Sequence, residues 1–301
     1  MTIGAAIRQG LGLARRTRSV VWVLFLANLG LALLAGLPIY RGILSFTGHS
    51  LMSRSLLYGF STDWLVDFSV NSPRSLNRYA EMIALFGLLS IPVNTILAGG
   101  ILGRLRRGAE LPFSLGDFCR DSSHYAWRLL RLMIMGLICY WLVFRVLHQS
   151  LGELVNKWTS DASDDRVVFW AHLGVTALVL IGLVFVNLVM DYARVKLVME
   201  ESASAVEAFL AALGFSLGRL GKALAVYAIP SLCGIALLGI YRLVIPWHLV
   251  DTQLAGVSPG AYREPLTLAL LFIVQQLIMF GRYWFRVATW ASEWSYYSGC
   301  R

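Results

Sequence analysis

The sequence predicts an all-α fold: a polytopic membrane protein with six transmembrane helices, short cytoplasmic interfacial helices and a candidate threefold internal repeat. Three observations carry this. First, 57% of the 301 residues are hydrophobic and only 14% are charged, with a mean hydropathy of +0.66; soluble domains are ordinarily about a quarter charged. Second, six runs reach the roughly 20 apolar residues that a helix needs to cross a bilayer. They are continuously apolar rather than alternating, which argues against transmembrane strands. Third, the basic residues crowd the connections on one side of these runs.

Taken in order, residues 1–19 hold charges but no apolar stretch ending in a small-residue cleavage site, so no cleavable signal is expected. The first helix, Val20–Tyr40, is then its own signal. Residues 41–80 form the longest connection, with GHSLMSRSLLYGF and STDWLVDFSVNSP as candidate surface helices and Trp64, Phe68 and Tyr79 suited to the headgroup layer. The second helix, Met82–Gly103, contains Pro92 and the small residues Gly99, Gly100 and Gly103, which favour close helix packing. The third is Trp127–Leu147, followed by a polar, turn-like stretch at 148–166. The fourth is Val167–Met190 and the fifth Ala223–Val244, interrupted by Pro230. A connection at 245–265 rich in Pro and Gly leads to the sixth, Leu266–Phe285.

The N-terminus, 104–131, 191–222 and the C-terminus together hold 17 of the 26 basic residues and 8 of the 17 acidic ones. The whole formal charge of +9 therefore lies on one side, and the other holds 9 of each sign. The positive-inside rule makes the basic side cytoplasmic, with both termini there. Anionic lipid headgroups are the partner this charge calls for, and nucleic acid is not needed to explain it.

The basic connections resemble one another. Cation pairs three residues apart precede the first, third and fifth helices: Arg15/Arg18, Arg128/Arg131 and Arg219/Lys222. Capping boxes, Ser114-Leu-Gly-Asp117 and Ser204-Ala-Val-Glu207, predict helix starts before the third and fifth, with short interfacial helices near 118–127 and 208–217. The second, fourth and sixth helices share an amide, Asn94, Asn187 and Gln275 or Gln276. A small residue follows six positions after Asn94, Asn187 and Gln275. The pattern suggests three units of even helix, interfacial turn and odd helix, the first split between the two termini.

One face of the fourth helix carries Asn187, Asp191 and Arg194. Asp191 lies about 36 Å from Val167 at 1.5 Å per residue, beyond a hydrocarbon layer of roughly 30 Å. An ion pair at the end of a membrane helix is the simpler expectation. The alternative is a polar cluster of Asn94, Arg104, Asn187, Asp191, Arg194, Gln275, Gln276 and Arg282, with Asp191 paired to Arg194, Arg104 or Arg282 around a cytoplasm-facing cavity. Interhelical amides also serve as packing glue.

Catalytic signals are missing from the sequence. The histidines 49, 124, 148, 172 and 248 are scattered, and there is no H-E-x-x-H, nucleophile elbow, Walker loop or G-x-G-x-x-G. The four cysteines have no metal-ligand spacing. Neither enzyme activity nor a cofactor is expected.

The runs Gly99-Gly100-Ile-Leu, Phe113-Ser-Leu-Gly-Asp-Phe118, Trp127-Arg-Leu-Leu-Arg131 and Met190-Asp-Tyr-Ala-Arg-Val195 resemble poorly characterised bacterial six-helix membrane proteins. That group is similar to the membrane domain beside some glycerophosphoryl diester phosphodiesterases. The resemblance implies a helical bundle in the plasma membrane without the phosphodiesterase catalytic domain. The resulting expectation is a non-enzymatic protein that organises or accommodates lipid or a partner membrane protein. The alternative is a small transporter or channel.

Overall fold

The computed structural model describes residues 1–48, 62–108, 110–160, 164–244 and 264–300. These are helical, with no strand among the described residues. In chain order the helices are α1 (Ile3–Arg16), α2 (Arg18–Thr47), α3 (Thr62–Asn71), α4 (Pro73–Arg107), α5 (Leu115–Leu142), α6 (Leu151–Trp158), α7 (Asp165–Met199), α8 (Ala205–Gly218), α9 (Leu220–Val244) and α10 (Glu264–Ser298). Between α5 and α6 the chain stays helical but winds wider, as a π-helix over Val143–Ser150. Most of the stretch expected as a polar turn at 148–166 is therefore helix. Its polar residues occur at helical spacing, with a turn at Thr159 and Ser160, and Asp164 caps α7 by accepting from the Arg166 N–H at 2.9 Å.

Five of these helical stretches are long and apolar enough to cross a membrane: α2, α4, the continuous α5–α6 segment, α7 and α9. Their side chains point outward in large numbers, with Leu34, Leu88, Trp141, Phe169 and Ile181 each more than 45% exposed. Water would not tolerate so much contiguous apolar surface, whereas lipid would. The chain thus fits a multi-pass membrane protein. The predicted sixth span, 266–285, lies within α10. Pro38, Pro92 and Pro230 sit inside α2, α4 and α9, which continue through them. The first outer surface helix expected and the connection at 245–263, with His49, His248 and Asp251, lie outside the described residues; the second surface helix is α3.

The described residues form two compact units. The first contains residues 1–17, 95–231 and 287–301. Its centre is the last third of α7, where Leu188 to Ala193, Val195, Leu197 and Val198 are all buried. Around it the packing uses small residues. A Cβ at Gly99 would stand 3.1 Å from Leu129, and one at Gly100 would stand 2.6 Å from the Phe118 ring. At Gly136 it would be 2.8 Å from Met190, and at Gly10 it would overlap Ser292. The expected packing role of Gly99 and Gly100 is therefore met by α5. On the other side of α7, the Phe215 ring lies 5.3 Å from Tyr192 and 5.0 Å from Tyr297.

The second unit contains residues 18–94 and 232–286. Its core is aromatic: Trp22 and Phe25 pack on Phe280 at 4.5 and 5.8 Å. Phe68 differs from its expected place in the headgroup layer. It is 2% exposed, stacks on Tyr79 at 6.0 Å and meets Phe46 edge-on at 4.9 Å. An apolar ring gains more by stacking in the core than by lying at a wet interface.

Candidate functional site

Three helix starts in the first unit are built alike. Thr2, Ser114 and Ser204 are N-caps whose hydroxyls accept from the backbone N–H three residues on, Ala5, Asp117 and Glu207, at 3.4, 3.5 and 3.3 Å. Each cap satisfies a donor that the helix start leaves open. Four and eight residues beyond the caps stand Ala6 and Gly10, Phe118 and Ser122, Ala208 and Ala212, all buried. The helix that follows Ser204 ends at Gly218 and a new one begins at Leu220, as expected for a separate interfacial helix. The one that follows Ser114 does not stop near 127. It runs unbroken into α5, because no glycine or proline interrupts it at that point. The N-terminal member, α1, has no acidic residue at its third position, so the capping-box pattern passes over it.

A basic residue leaves the far end of each start and reaches the segment just after another long helix. Arg16 pairs with Glu110 at 3.3 Å, Arg128 donates to the Glu201 carbonyl at 3.0 Å, and Arg219 donates to the Cys300 carbonyl at 3.5 Å. These links tie α1 to the end of α4, α5 to the end of α7, and the α8–α9 junction to the end of α10. They close cyclically within the first unit. Two of the three involve the cation pairs noted in the sequence; at the N-terminus Arg16, between Arg15 and Arg18, makes the link.

The end of α7 is the best-held point. Glu201 adopts a left-handed backbone, φ 52°, which costs a non-glycine residue about 1–2 kcal/mol. Its carboxylate takes Arg106, whose guanidinium also donates to the Tyr125 hydroxyl at 2.8 Å. The Arg106 guanidinium holds the Glu201 carboxyl below its ordinary range. The neighbouring Glu200 accepts from the Tyr297 hydroxyl at 2.7 Å and pairs with Lys196 at 3.0 Å. Beside Arg106, Arg107 pairs with Asp117 at 3.1 Å and Asp121 at 2.7 Å. Arg106, Arg107, Asp117, Asp121, Tyr125 and Glu201 edge an open cavity of about 460 Å³, which Arg120 and His124 also line.

The residues expected to form one polar cluster are placed as follows. Asp191 is 1% exposed, ion-paired to Arg194 at 2.6 Å, and accepts the Trp290 indole N–H at 3.1 Å. It does not end its helix: α7 continues two turns to Met199 because those residues are buried by α8 and α10 rather than solvated. Arg194, one of the three cations considered, thus pairs with Asp191. Asn187, one turn earlier, donates to the Leu183 carbonyl at 3.0 Å and accepts from Tyr140 at 2.7 Å. Arg104, 6% exposed, donates to the Leu111 carbonyl. In the second unit Asn94 forms a closed pair with Asn28, Nδ2 to Oδ1 in both directions at 2.9 and 2.8 Å. Each amide also donates to the carbonyl four residues back, Ser90 and Leu24, at 2.8 Å. Gln275 and Arg282 are exposed and Gln276 is half-buried, also in the second unit. Gly281, paired with Gln275 in the sequence pattern, meets Leu237, whereas the small residue of α10 that receives a helix start is Ser292, opposite Gly10.

Among the described residues no group of three His, Cys, Asp or Glu side chains is placed to hold a metal ion. The reading missed Asn28, Arg106, Tyr125 and Glu201. Asn28 alone had a local signal, an amide inside an apolar run. No protein-family model, curated protein or solved structure matches this chain.

Proposed function

We propose that the chain is a non-enzymatic protein of the bacterial plasma membrane. It crosses six times, keeps both termini in the cytoplasm and uses its basic face to organise or accommodate lipid or a partner membrane protein. The observation that carries this is the cyclic set of arginine links, Arg16–Glu110, Arg128–Glu201 and Arg219–Cys300. Three capped helices with buried small or apolar residues at matching positions support a threefold repeat, in which α10 with α1 is the unit split between the termini. Such a ring arranges cations around the headgroup layer, where each adds about 1 kcal/mol of attraction to an anionic surface. The resemblance to bacterial six-helix membrane proteins adds the same architecture and no activity.

The test is extraction of the full chain directly into polymer-bounded lipid discs, followed by lipid analysis. Enrichment of anionic lipid over the bulk membrane, lost in high salt, is expected; a disc composition equal to the bulk and no co-extracted protein would overturn the reading. A small transporter is the second reading, and Asp191, buried with Arg194 one turn from Asn187, favours it. Asn187→Cys in a background lacking the four native cysteines decides between them. Labelling by a membrane-impermeant thiol reagent would put water inside the bundle and favour transport. Protection, expected from the Tyr140 contact, favours the first reading.

A further inference from the structure

We propose that the charged cavity formed by the ends of α4 and α7 and the start of α5 binds a phosphate ester with a neighbouring ammonium, the chemistry of a zwitterionic phospholipid headgroup. The inference rests on the lipid reading above and names the chemistry of one position within it. The volume, about 460 Å³, lies in the range of small-ligand sites. Its charges are balanced: Arg106, Arg107 and Arg120 face Asp117, Asp121 and Glu201. A purely anionic ligand would gain from the first set and lose to the second, and a cation the reverse. A group carrying both signs gains from both.

The wall is already built. Arg107 is held between Asp117 and Asp121, Arg106 between Tyr125 and Glu201, and the Glu201 backbone is held by Arg128. Fixed charges bind without first being ordered, which removes a large part of the binding cost. Two groups add donors to this framework, one of them, His124, with its ring edge-on to Tyr125 at 4.8 Å. The Arg120 guanidinium and the His124 imidazole make no hydrogen bond among the described residues, and both are exposed at the cavity. They are the donors available to a phosphate. Asp117 and Glu201, each about half exposed, are the acceptors available to an ammonium. The cavity lies where three membrane-length helices end or begin, at Arg107, Leu115 and Met199, the level at which headgroups sit.

The matching place on α1 supplies an internal control. Counted from their caps, Asp121, His124 and Tyr125 correspond to Gln9, Gly12 and Leu13, which line a smaller cavity of about 330 Å³. That lining has one cation, Arg16, and no carboxylate, so it lacks the paired signs found at the α5 position.

The test uses native mass spectrometry of the full chain in detergent, titrated with dioleoylphosphatidylethanolamine, dioleoylphosphatidylglycerol or soluble phosphoethanolamine. Arg120→Gln/His124→Gln removes exposed donors while leaving the ion pairs of the wall in place, and an unchanged helical signal confirms folding. The variant is expected to bind the ethanolamine lipid about tenfold more weakly, the loss of one or two charge-assisted bonds. Glycerol-lipid binding persists, weakened only by the loss of surface charge, and the ethanolamine-lipid affinity of the control Gln9→Ala is unchanged. Displacement by soluble phosphoethanolamine would identify a free phospho-amine as an alternative source of the same chemistry, whereas lipid-only binding identifies the headgroup. Equal ethanolamine-lipid affinity in wild type and variant, or equal loss in the α1 control, would overturn the inference while glycerol-lipid binding leaves the broader reading standing. Retention of neither lipid would overturn both.

Discussion

Replacing Asp191 by Asn removes a charge without changing shape, and the structure gives the size of the effect. At 2.6 Å the gross attraction between Asp191 and Arg194 is about 6 kcal/mol at an effective dielectric of 20. Desolvation of the carboxylate, 1% exposed, offsets much of it. Removing one partner of a fully buried pair costs about 3–5 kcal/mol because the other charge is stranded. Arg194 retains 20% exposure, so part of its charge can be solvated, and about 2–3 kcal/mol is the reasoned loss. The Trp290 bond survives, since the amide oxygen still accepts. Asp191→Asn/Arg194→Gln removes the stranded charge as well and is expected to recover at least half of that loss. The assay is reversible unfolding in mixed micelles with rising dodecyl sulfate, followed by far-ultraviolet circular dichroism. Single-variant costs that simply add, within about 0.5 kcal/mol, would refute the pairing.

Three further outcomes follow from other contacts. In the Asn28→Leu and Asn94→Leu cycle the coupling should be about 1 kcal/mol, two interhelical amide bonds at about 0.6 kcal/mol each, read by the same unfolding assay; zero coupling would mean the pair does not form. Gly100→Leu drives a side chain into Phe118 and Ser122 and should cost about 1–3 kcal/mol, whereas Gly87→Leu, with nothing within 4 Å, should change stability by less than about 0.5 kcal/mol. Glu201 titrates below its ordinary value, so its contribution is fully present above that ordinary value and is lost as pH falls through the lowered one. The unfolding midpoints of wild type and Glu201→Gln should therefore converge in acid and separate towards neutral pH; parallel profiles would show that Arg106 does not hold the carboxylate.

The likeness of the three capped helix starts was only partly legible, and for a local reason. The capping boxes at Ser114 and Ser204 contain an acid at the third helical position, so they stand out in the chain. Thr2 caps α1 equally well through its hydroxyl, yet Ala5 leaves no second mark. The alignment of the sixth helix was shifted for a related reason: Gln275 and Gly281 mimic the amide and small-residue spacing of the second and fourth. The α10 residues that receive α1 lie some three turns later, and only the Gly10–Ser292 contact identifies them.

What the sequence determined by itself is the membrane class and the long apolar helices, five of which are long and apolar enough to span a membrane. Hydropathy and charge add residue by residue along a helix, and burial in lipid does not depend on which neighbour covers which face. The tertiary structure decided the pairings: Asp191 with Arg194 and Trp290, Asn94 with Asn28, Arg106 with Glu201 in its left-handed backbone, and the length of α7 beyond Met190. Each depends on which turn of one helix meets which turn of another. Asn28 and Asn94 are 66 positions apart and Arg106 and Glu201 are 95 apart, and the chain between them contains no periodic signal that specifies that meeting. Close packing through small residues specifies it, and packing is a property of two surfaces rather than of either run of sequence.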